Sequence, residues 1–96
     1  MGASRSSTIT FAIWGPIARE DLAGLCERVC ALLTDSGATD AICDVGGVTV
    51  DAVTVDALAR LQLTARRQNC RIQLLGASDR LRELVAFMGL RDVVAL

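Results

Sequence analysis

Hydrophobic and polar positions follow two alternating periods along the 96-residue chain. In TITFAIW, residues 8 to 14, Ile9, Phe11 and Ile13 fall on one face and Thr8, Thr10, Ala12 and Trp14 on the other, the period of a strand. Gly15-Pro16 ends it. From Ile17 onward Leu22, Leu25, Cys26, Val29, Leu32 and Leu33 recur at steps of three and four, which predicts a helix with one apolar stripe that Ser36-Gly37 stops. AICDV, residues 41 to 45, predicts a second strand followed by Gly46-Gly47. A second helix is predicted from about Thr54 to Gln68, with Val55, Leu58, Leu61 and Ala65 inward and Arg60, Arg66 and Arg67 outward. RIQLLGA, residues 71 to 77, reads as a third strand. Ser78 then caps a third helix, whose stripe is Leu81, Leu84, Val85 and Met88 and whose end is Gly89. The closing VVAL is expected to form a brief strand or a packed tail.

Strand and helix taken in turn three times predict a small single-domain α/β fold, βαβαβα, with helices packed on a short, mostly parallel sheet. No linker, repeat or low-complexity stretch interrupts the chain, so residues 1–96 read as one domain, with 1–7 a flexible N-terminus.

Composition removes several function classes. Apolar residues make up 52% of the chain and the formal net charge is -1, which fits a folded globule with no strong field toward nucleic acid or anionic lipid. All ten basic residues are Arg. No apolar run approaches the roughly 18 residues of a membrane span, and the polar MGASRSST does not read as a signal peptide, so a cytoplasmic protein with reduced thiols and no membrane insertion is expected. With no His, Lys or Tyr, few groups could act as a general base near neutral pH; no catalytic residue and no enzymatic activity is expected.

The remaining chemical candidates each have a simpler structural reading. Gly46-Gly47 lies in neither a G-x-G-x-x-G nor a G-x-x-x-x-G-K-[ST] pattern, so it reads as a turn and not a phosphate loop. Asp44, Asp51 and Asp56 cluster near the end of the second strand, but Asp51 suits a helix cap and Asp56 the positive end of a helix dipole, so neither metal nor cofactor is assigned. Cys26 and Cys30, four apart on one helix, read as packing residues and not a disulfide. Arg60, Arg66, Arg67 and Arg71 lack the interleaved aromatics of a nucleic-acid surface and read as a solvated or protein-contact face.

Read together, the strand followed by WGPI, the segment CDVGGVTVDA with a long helix after it, the strand RIQLLGAS and the closing LRELVAFMGLRDV resemble a STAS domain, the module of sulfate transporters and anti-sigma factor antagonists. The likeness spans nearly the whole chain and is greatest to standalone members of actinobacterial type. It implies a non-enzymatic module that acts by protein contact in partner switching, with an anti-sigma factor or kinase as partner. In such a module the loop before the second long helix reads Asp-Ser-Ser-Gly-Leu, and its first Ser accepts phosphate. Counting back from Asn69, which stands where the family has Gly, sets Asp51, Ala52, Val53, Thr54 and Val55 against those five residues and puts Ala52 at the acceptor. Counting forward from Asp44 would move the acceptor to Val53, which also lacks a hydroxyl. Thr54 and Thr49 are the nearest hydroxyls, and both read as cap or turn residues.

The resemblance thus implies a docking surface formed by Asp51, Ala52, Val53 and Thr54 with Asp56, Arg60 and Arg67 on the helix, in a copy whose phosphoacceptor is lost. It also leaves open an accessory subunit docking on a transporter ATPase for lipid or anion transport, and a small-ligand-binding module. Only MGASRSS precedes the first strand, whereas the family commonly has another strand there, so an exposed sheet edge that supports a homodimer or a partner strand is expected.

Overall fold

The computed structural model describes residues 7–94. The alternation of TITFAIW forms strand β1, Thr8–Trp14, with the predicted bounds. A single 3₁₀ turn at Arg19–Asp21, which the apolar pattern does not mark, leads into helix α1, Leu22–Ser36. Gly37 ends α1 at φ 64°, a left-handed conformation that costs glycine little. Strand β2 is Asp40–Gly47, helix α2 is Ala52–Arg67, strand β3 is Arg71–Leu75 and helix α3 is Asp79–Phe87.

The sheet has the order β1-β2-β3 and both pairings are parallel, which α1 and α2 make possible as the crossover segments. Register sets Thr8, Asp40 and Arg71 in one row, Thr10, Ile42 and Gln73 in another, and Ala12, Asp44 and Leu75 in a third. No residue of these three rows is buried. The intervening rows hold Ile9, Phe11, Ala41, Cys43, Ile72 and Leu74, all in or against the core. Side chains of all three helices, among them Val29, Leu33, Val55, Leu58, Leu61, Leu81 and Val85, belong to that same core. Among the described residues the helices therefore cover one face of the sheet and leave the other open.

Several boundaries differ from the sequence reading. Strand β2 continues through Gly46 and Gly47, because Trp14 of β1 still pairs with Gly47 beyond a register shift. Strand β3 stops at Leu75, since Gly76 turns the chain at φ 81°. Helix α2 starts two residues before Thr54, where Asp51 caps it, and ends at Arg67 with Gln68 as its C-cap. Leu32, expected in the α1 stripe, is 40% exposed. Ser78 caps α3 as predicted, its Oγ accepting the Leu81 N–H at 3.1 Å, and Gly89 follows the helix at φ 74°.

At the two ends of the chain, residues 1–6 and 95–96 lie outside the described residues, so the first six residues of the expected flexible N-terminus and the last two of VVAL are not placed. The Ser7 carbonyl accepts from the Thr39 and Asp40 N–H groups, which ties that residue to β2. Val93 and Val94 lie in turns, not a strand; Val94 is buried and the Asp92 carbonyl accepts from the Arg66 guanidinium at 3.2 Å.

Candidate functional site

The carboxyl ends of parallel strands leave their following loops side by side, and here two such loops meet. The Gly15 N–H donates to the Gly47 carbonyl at 3.2 Å. A Cβ on Gly15 would stand 2.5 Å from the backbone nitrogen of Thr49, so only glycine lets the β1 loop approach the segment that leads into α2. Trp14 lies against Gly47 and is 72% exposed. The sequence pattern puts Trp14 on the outer face but gives it no role, although a large aromatic next to Gly-Pro on a polar strand face was the available signal.

Asp51 is extended, at φ -150°, and its Oδ1 accepts the Thr54 N–H at 2.8 Å, satisfying one free donor at the start of α2. Its own carbonyl accepts the Val55 N–H at 3.2 Å. Replacing Asp51 with Ala removes that cap and is expected to lower stability by about 1 kcal/mol. A urea unfolding midpoint that falls with unchanged slope would register the loss.

Ala52 is the first residue of α2 and is exposed, Val53 is half-buried, and Thr54 is fully buried. Of the four loop positions, then, only Ala52 presents its side chain openly to a partner, and that side chain is a methyl. Thr49 is exposed.

The other predicted contact residues have different surroundings. Asp56 accepts from Arg60 Nε at 2.9 Å, an i,i+4 pair, and lies 3.8 Å from Arg19 of the 3₁₀ turn. The hydrogen bond and charge of Asp56 hold the Arg60 guanidinium above its ordinary pKa. Arg67 is the last residue of α2, on the order of 22 Å along the helix from Ala52. Arg60 and Arg67 line a groove of about 230 Å³ between α1 and α2, with Ala23, Cys26, Leu63 and Thr64. The loop positions are thus brought together, and Arg67 is not among them.

The acidic trio does not converge. Asp44 accepts the Gly46 N–H at 2.9 Å, Asp51 caps α2 and Asp56 pairs with Arg60. Among the described residues no three metal-ligating side chains come together. The four thiols are free. Burial, with the Asp44 charge beside it, pushes the Cys43 thiol up to about 12, so it stays protonated and packs as a small apolar group. Burial also raises the Cys26 and Cys70 thiols.

Solved structures share this arrangement. A sulfate transporter family protein from Wolinella succinogenes matches with a TM-score of 0.69 and 23% identity, covering 92% of this chain and 71% of that one. The STAS domain of a SulP transporter from Vibrio cholerae matches with a TM-score of 0.71 and 16% identity, covering 98% of this chain and 74% of that one. The chain has the fold of a STAS domain. At these identities the likeness is one of fold, and the STAS fold here is the three parallel strands and three helices described above. No protein-family model matches the chain, and no curated protein matches it in sequence. Among the described residues no helix is long and apolar enough to cross a membrane.

Proposed function

We propose that this STAS-fold domain is a non-enzymatic, cytoplasmic protein-contact module of the anti-sigma antagonist type, in which the phosphorylation switch has been lost. The observation that carries the reading is Ala52 itself: an exposed methyl on the first turn of α2, directly after a capping Asp, where the sequence resemblance puts the acceptor hydroxyl. The count that assigns Ala52 starts from Asn69 in place of glycine, and Asn69 has φ 56°, the left-handed conformation that glycine serves at such a turn. A phosphate on this turn would add about two negative charges and three acceptor oxygens to a contact surface, enough to dismiss a partner fitted to the neutral form. Ala52 fixes the surface in that neutral form.

Phosphoryl transfer to this turn is the direct test. Incubated with ATP and the anti-sigma kinase of its host, the Ala52→Ser variant is expected to take up one phosphate and release the kinase, while the unaltered chain binds it and takes up none. Efficient phosphorylation of the unaltered chain would end the proposal.

A second reading is favoured by the names of the two solved neighbours, both of sulfate transporter proteins. On that reading the same loop docks as an accessory on a transporter subunit. Binding to that subunit, with no affinity for the kinase in either form, would select it.

A further inference from the structure

The two edges of the sheet are not alike. Among the described residues no other strand pairs with the outer edge of β1 or of β3. β3 is only five residues long and carries Arg71, so it has two of the usual protections against edge pairing, short length and charge. β1 has seven residues, TITFAIW, with no charge and no proline; four of them, Thr8, Ile9, Thr10 and Ile13, are β-branched and two are aromatic. Nothing in β1 discourages pairing with another strand.

Which backbone groups are free follows from the bonds already made. The Ser7 carbonyl and the Gly15 N–H both bond to β2. Since both groups of a strand residue point to the same side and alternate along it, the odd-numbered residues face β2. Thr8, Thr10, Ala12 and Trp14 direct their N–H and C=O groups to the open edge.

We propose that this edge is a homodimer interface, in which β1 pairs antiparallel with β1 of a second copy about a two-fold axis at Phe11. In that register Thr10 faces Ala12 of the second copy and Thr8 faces Trp14, so edge-facing residues always meet edge-facing residues. Four residues on each copy, each donating and accepting once, make about eight bonds. Phe11 meets its own equivalent and Ile9 meets Ile13, so inner-face residues meet inner-face residues and outer meet outer, with no like charges opposed. Beside the edge a groove of about 310 Å³ presents Trp14, Pro16, Ile17 and Leu25. Its two charged lining residues, Asp21 and Arg28, balance each other, so a second copy meets no repelling field there. A charged partner strand would find no complementary charge on this edge, whereas the uncharged β1 of a second copy pairs with it without opposing any charge.

Paired substitutions at the exposed Thr10 and Ala12 test both the dimer and its register. The variant T10K/A12K sets Lys opposite Lys at both symmetric positions; T10K/A12E sets Lys opposite Glu. In sedimentation velocity the unaltered chain is expected to be a dimer, T10K/A12K to associate about tenfold more weakly or worse, and T10K/A12E to recover most of the lost affinity. Far-UV circular dichroism and the urea midpoint of each variant establish that it is folded. The proposal fails if the unaltered chain stays monomeric up to about 1 mM, a range that includes weak complexes, or if the two folded variants associate equally.

Discussion

Truncating Leu58 to Ala is expected to cost about 3 kcal/mol, the largest effect of any single change considered. Leu58 is 1% exposed and lies mid-way along α2, on the face that meets the sheet together with Val55, Leu61 and Ala65. Removing three buried carbons forfeits their transfer energy and leaves a cavity that close-packed neighbours fill only in part, which together cost roughly 2–5 kcal/mol. Against a total stability of about 5–15 kcal/mol for a domain of this size, that is a large share. The melting temperature should fall by more than roughly 10 °C. Leu63 supplies the control: it is the same residue type on the same helix but 44% exposed, so Leu63→Ala should cost far less, within about 1 kcal/mol. Equal losses in the two variants would mean that α2 presents a different face to the sheet.

That face was legible because position in α2 and position in the core obey one period. Val55, Leu58, Leu61 and Ala65 were placed inward from their spacing, and all four are buried. β1 was legible for the same reason, with Gly15-Pro16 supplying its end. The extension of β2 through Gly46 and Gly47 was not, because glycines have no side chain to show alternation and the pairing is imposed by Trp14 across the sheet. Local pattern also cannot report close approach between loops distant in sequence, so the contact of Gly15 with Thr49 became visible only in three dimensions. At the candidate site the cap formed by Asp51 is readable from residue type, whereas the helix begins two residues before the expected Thr54. The two-residue difference does not account for Arg67, which a helix begun at either residue carries to the end opposite the loop.

Loop residues and core residues are not separate classes here, and Thr54 is where they overlap. It stands one residue before Val55 and four before Leu58, which puts it on the inward face, and it is fully buried. Its N–H is satisfied by Asp51, but among the described residues its Oγ1 has no hydrogen-bond partner. A buried hydroxyl without a partner retains the desolvation cost and gains nothing for it, roughly 1–3 kcal/mol. Thr54→Val keeps the shape and removes the hydroxyl, so it is expected to stabilise the domain by about 1 kcal/mol and raise the melting temperature by roughly 4–8 °C. Thr54→Ser gives the opposite sign, since it keeps the hydroxyl and deletes a buried methyl. Differential scanning calorimetry of the two variants decides the matter, and a less stable Val variant would show that the hydroxyl is bonded after all. The same burial bears on regulation: a hydroxyl with no exposed surface cannot enter a kinase active site while the helix is formed. Under the proposed function, Thr54→Val should therefore leave kinase binding and the absence of phosphate uptake unchanged, whereas Ala52→Ser, on the exposed turn two residues earlier, should alter both.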